Sequence, residues 1–155
     1  MFDAGHHDGP AVLAVHVGAP LRAEDASRRG VIEFDEQSLY DAGWRYEDLV
    51  AAVDVVATKP GYGIIAECAA HQTALLYTSR GHFVEYEVLV QEMPRYVRSQ
   101  FIPQEALFAG EWRPYLEELL SQGRPEPADV TGAAVAADLI LEQLAGAKSA
   151  VTSRR

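Results

Sequence analysis

The sequence predicts a single α/β domain built on a parallel sheet. Its short apolar runs are continuous rather than alternating, as in strands buried on both faces. Helix-spaced segments lie between the later runs, which calls for right-handed crossovers. At 155 residues the chain is long enough for one domain with its own core.

In chain order, the first expected strand is Val12–Val17 and the second Val31–Phe34. Gly18, Pro20 and Gly30 punctuate the segment between them, where Leu21–Arg29 reads as an imperfect crossover helix. Tyr46–Val53 places Leu49, Val50 and Val53 on one helical face, ahead of a strand at Val55–Thr58. A short apolar helix, Ile64–Ala70, then leads to a strand at Leu75–Thr78. Glu85–Met93 groups Val88, Leu89 and Met93, and Pro94 is expected to stop it before the last strand, Tyr96–Ile102.

Everything after Pro103 reads as helix. Gln104–Phe108 is one turn, and Trp112–Leu120 carries Trp112, Tyr115, Leu116, Leu119 and Leu120 on an apolar face. Gly123-Arg124-Pro125-Glu126-Pro127 is a break. Asp129 or Thr131 caps a last helix in which Val135, Leu139, Ile140 and Leu144 keep helical spacing. The domain is expected over residues 10–146, with flexible tails at 1–9 and 147–155.

Composition narrows the function. A net charge of −10 argues against a nucleic-acid partner, which would need cations to replace phosphate counterions. A small anionic ligand stays open, because a helix N-terminus with one or two cations can hold a phosphate. Cys68 is the only cysteine, so there is no intrachain disulfide and no all-cysteine zinc site. No metal site is expected: His6, His7, Asp3 and Asp8 sit in a glycine-rich tail without fixed spacing to a second ligand group. The opening MFDAGHHDGP lacks signal-peptide regions and no apolar run reaches transmembrane length, so a cytoplasmic location is expected.

The chemistry concentrates at Val55–Ser79, VVATKPGYGIIAECAAHQTALLYTS. In an open parallel sheet, ligands bind beyond the carboxyl ends of the strands, where Pro60–Gly63 would lie. Glycine at 61 and 63 would permit positive φ and close approach of a phosphate to the backbone N–H groups. Glu67, one turn after Gly63, could reach the crevice and accept the hydroxyls of a ribose diol. From spacing alone, an ordinary tight turn with Glu67 in solvent explains the same residues equally well.

Asp54–Ser79 resembles the nucleotide-sugar-binding half of GT-B glycosyltransferases, in particular the family 28 C-terminal domain. Its members carry ADVV, then Thr or Ser, Pro or Ser, a glycine, and a glutamate further on. The matching residues here are VDVVATKPGYGIIAE and CAAHQTALLYTS. The Lys-Pro form and the downstream RGHFVEYEVLVQEM also resemble the glycosyltransferase-like domain fused to some sugar kinases. The resemblance is strongest over Tyr46–Met93 and extends from Val31 to about Leu144.

The resemblance implies a Rossmann-like sheet flanked by helices, the C-terminal half of a GT-B fold. It also implies a UDP-sugar as donor substrate, no cofactor, and transfer of a hexosyl group by an inverting mechanism. The implied donor-binding residues are Lys59, Gly61, Tyr62, Gly63, Glu67, Arg80, His82 and Glu85. The glycine loop would meet the diphosphate, Glu67 the ribose and Glu85 a sugar hydroxyl, with Arg80 and His82 in the same loop as Glu85.

The chain departs from the pattern at Gln72, where relatives usually have glycine, and at Val84-Glu85-Tyr86-Glu87. The family's opening strand and second glycine-rich loop are not evident. Val12–Val17 reads as the second strand with the first absent; alternatively, with Gly18, it is a degraded form of the opening strand and loop. The acceptor-binding domain, which in that family normally carries the catalytic base, is not expected within these residues, so no catalytic residue is assigned. The expectation is half an enzyme, inactive alone, that needs a partner domain or chain or self-associates. The alternative is a non-catalytic remnant that binds a nucleotide sugar or a protein.

Other tempting residues have plainer readings. His16 reads as a satisfied sheet histidine, and His71 as a basic residue at a helix C-terminus. Cys68, Trp112 and Tyr115 read as packing residues, and Glu117 and Glu118 as a solvated face.

Overall fold

The computed structural model describes residues 12–14, 36–81 and 84–152. The expected strand at Val31–Phe34, the stretch Leu21–Arg29, the tail at 1–9 and His6, His7, His16 and His82 lie outside the described residues.

Four strands, β1 (Val12–Ala14), β2 (Val55–Thr58), β3 (Ala74–Tyr77) and β4 (Ser99–Phe101), form one parallel sheet in that order. Helices α1 (Glu36–Asp41) and α2 (Tyr46–Ala52) precede β2, and α3 (Tyr62–His71) joins β2 to β3. Between β3 and β4 come α4 (Tyr86–Glu92) and a 3-10 turn at Met93–Arg95. After β4 follow α5 (Gln104–Ala109), α6 (Arg113–Ser121) and α7 (Gly132–Thr152).

Because the strands step across the sheet in one direction, crossovers of one hand put their helices on one face. On that face Val56 and Leu75 meet Val50 of α2, Ile65 and Cys68 of α3, and Leu89 of α4. The side-chain period of two turns Val55, Ala57, Ala74 and Leu76 to the other face, against Ile102, Ala106 and Leu119. Both faces are covered, which is why β2 and β3 are apolar without alternation. The buried Thr73 hydroxyl donates to the Val50 carbonyl at 2.8 Å and ties the start of β3 to α2.

Several elements differ from expectation. Helix α1 was not foreseen; its sequence, EQSLYD, is mostly polar and exposed. Helix α4 ends just before Pro94, as expected, but Pro94 itself sits in the first turn of a 3-10 segment, where a missing N–H costs nothing, and so the last strand begins only at Ser99. Leu89 and Met93 are buried, but Val88 is 63% exposed, because adjacent residues point 100° apart on a helix. Helix α7 carries Val135, Leu139, Ile140 and Leu144 at the expected spacing, yet each is more than half exposed. It also runs on to Thr152, through most of the segment expected to be a flexible tail.

Gln72 closes α3 in the left-handed conformation, φ 56° and ψ 26°, with its N–H bonded to Ala69 and Cys68 carbonyls. A side chain in that conformation costs roughly 1–2 kcal/mol, which glycine avoids. Gln72→Gly is therefore expected to raise stability by about 1 kcal/mol, read from the urea unfolding midpoint. An unchanged or lower midpoint would refute it.

Candidate functional site

The crevice lies beyond the carboxyl ends of β2 and β3. Strand β2 gives way to exposed Lys59, fully buried Pro60 and then Gly61, the N-cap of α3. Gly61 has φ −160° and ψ 159°, an extended conformation open to any residue. Gly63 likewise is not among the positive-φ glycines, so the expected positive-φ requirement does not hold at either position. What Gly61 provides is space. A Cβ there would lie 3.1 Å from Arg80 Nη1, and that nitrogen donates to the Pro60 carbonyl at 3.3 Å. A cation from the loop after β3 is thus seated over the turn after β2.

A second contact joins the same two loops. The Glu85 carboxylate lies beside the Tyr62 phenol and raises its pKa above the ordinary tyrosine value. Tyr62 opens α3 and Glu85 is the N-cap of α4, so the two starts of these helices face one another. The loop leading from β3 to α4 carries a left-handed residue, Gly81 at φ +78°, whose N–H bonds to Ser79 Oγ at 3.2 Å. Gln104 of α5 braces this loop by donating to the Ser79 carbonyl at 3.3 Å.

Glu67 is half-buried on α3, with Oε2 3.8 Å from His71 Nε2 one turn on. Its charge also reaches α2. Burial first, then Cys68 and Glu67, raise the Tyr46 phenol's pKa. Burial and then Glu67 push the Cys68 thiol up to about 12, so it is neutral at ordinary pH and a poor nucleophile. Cys68 is a packing residue, as expected. Trp112 is one too: its indole N–H donates to the Leu107 carbonyl at 2.7 Å, and its ring and Tyr115 pack on the α6 face of the sheet.

Of the eight implied residues, Gly61, Tyr62, Arg80 and Glu85 are brought together. Lys59 and Gly63 flank them in the same turn, Glu67 sits further down α3, and His82 lies outside the described residues. Among the described residues no group of His, Cys, Asp and Glu could hold a metal ion. None of the helices searched among them is long and apolar enough to cross a membrane.

Sequence reasoning missed a groove of about 380 Å³ lined by Tyr40, Gly43, Trp44, Arg45 and Glu47. Its aromatics are 48% (Tyr40) and 51% (Trp44) exposed. The groove is formed at the junction of α1 and α2, with Trp44 two residues ahead of Tyr46, the first residue of α2. The available signal was a tryptophan directly after a glycine, between Tyr40 and Tyr46.

A curated relative, L-arabinokinase of Arabidopsis thaliana, is 27% identical over 99 residues, 64% of this chain and 10% of that protein. The chain therefore spans about a tenth of the length of the relative it matches. No family model matches the sequence. No solved structure matches it.

Proposed function

We propose that the crevice binds a nucleotide-activated sugar, and that the chain is the UDP-sugar-binding half of a cytoplasmic hexosyltransferase. The observation that carries this reading is Arg80 lying over the Pro60–Gly61 turn at the start of α3. A guanidinium beside a helix N-terminus suits a diphosphate and its leaving-group charge without a metal. Carboxylates flank that positive region: Glu67 suits ribose hydroxyls, and Glu85, beside Tyr62, suits hydroxyls of the sugar. The half-exposed Trp44 and Tyr40 offer faces on which a base could stack, worth roughly 1–3 kcal/mol.

No described residue pair supplies an activated nucleophile, and Cys68 is protonated and buried. Catalysis would need an acceptor held in the same cleft by another domain, chain or copy. The similarity to part of a sugar kinase favours a second reading, in which such a module serves a larger sugar-handling protein without catalysing transfer. Calorimetric titration of the purified chain with UDP and a UDP-hexose, without divalent metal, tests the site. Binding is expected for both. No heat at millimolar ligand would refute the site, and hexosyl transfer by the chain alone would refute the half-enzyme reading.

A further inference from the structure

Strand β4 ends the sheet among the described residues, and a terminal strand offers its outward N–H and C=O groups to any passing strand. The inward groups are identified by their bonds: Leu75 N–H to Arg98 C=O, and Ile102 N–H to Tyr77 C=O, both at 2.8 Å. By strand alternation, Ser99 and Phe101 turn their groups outward.

Side chains meet them there. Gln122 Oε1 accepts from the Ser99 N–H at 3.2 Å, while Gln122 Nε2 donates to the Ser99 carbonyl at 3.1 Å. Two bonds exchanged with one residue is the pairing of an antiparallel ladder, made here by a carboxamide in place of a peptide group. The row continues along the edge. Gln122 Nε2 lies 3.4 Å from Gln100 Oε1, and Gln100 Nε2 donates to the Phe101 carbonyl at 3.4 Å. Gln122 caps the end of α6, which packs on β3 and β4, so its reach to the edge is fixed by the core.

We propose that Gln122, with Gln100, substitutes for a fifth strand and closes the β4 edge against pairing with a second copy of this chain. Nothing in this depends on the nucleotide-sugar reading. Sedimentation velocity on the full chain tests it, with amide exchange at Ser99 as the local readout. Gln122→Ala is expected to speed that exchange at least tenfold and to shift the chain to larger species than the parent at equal concentration. Gln122→Asn, one methylene shorter and unable to hold both bonds, is expected to do the same and decides the matter if the alanine variant does not fold. Adding Ser99→Pro, which removes the outward donor, should return the distribution to that of the parent. Variants that fold and sediment like the parent, or association that Ser99→Pro fails to reverse, would overturn the proposal.

Discussion

Replacing Glu67 with alanine is expected to weaken UDP binding roughly 10- to 100-fold, the loss of a carboxylate–hydroxyl bond of about 1.5–3 kcal/mol. Folding stability should barely change. Among the described residues Glu67 pairs with His71 at 3.8 Å on the same helix, and half-exposed pairs of this kind contribute about 0.3–0.5 kcal/mol. The two quantities therefore separate, and titration beside a urea melt measures both. Removing the charge should lower the Tyr46 phenol pKa only in part, because burial, the larger cause of its elevation, persists while α2 stays against α3; a return to the ordinary tyrosine value would instead show α2 detached. A folded Glu67→Ala chain that binds UDP like its parent would remove the ribose role.

Gly61→Val is expected to reduce UDP affinity roughly 100-fold, about two charge-assisted hydrogen bonds at the low end of their range. The first added carbon already meets Arg80 Nη1 at 3.1 Å, and the branched methyl groups would push the guanidinium off the Pro60 carbonyl. They would also cover the backbone that a phosphate must approach. Stability should hold, since φ −160° is where β-branched residues are comfortable. Gly61→Ala should fall between, because the far end of an arginine can yield a few tenths of an ångström. Parent-like affinity in a folded valine variant would show that the turn is only a turn.

The fold was legible wherever burial on both faces left its mark on composition. Val55–Thr58 is a strand end to end as read, and α6 buries the face that its spacing indicated. Boundaries were less legible where a cap is made by backbone geometry, as at Gln72, or where a 3-10 turn carrying proline follows the helix and delays the next strand. Helix α1 left no trace, because exposed polar helices carry no apolar period to detect. At the site, the structure brings the loops after β2 and β3 together, and the positive φ expected at Gly61 is replaced by an extended backbone beside Arg80. A glycine kept for positive φ and one kept clear for a neighbour's side chain look identical in one sequence. The Arg80 contact joins residues twenty positions apart, so no local pattern encodes it.

The order in which the strands sit has a consequence for how the chain reaches this state. Only 19 residues separate Val55 from its partner Ala74, and 24 separate Leu75 from Ser99, but 43 separate Val12 from Val55. Closing the longest of these loops from the unfolded chain costs about 0.7 kcal/mol more entropy than closing the shortest. Strand β1 must meet that larger cost with only three paired residues, whereas β2 and β3 share four and gain two covered faces. The half of the sheet that carries the glycine turn, Arg80 and Glu85 is thus built from the nearer contacts. It can assemble around β2 and β3 before β1 is fixed, and loosening at β1 need not disturb it.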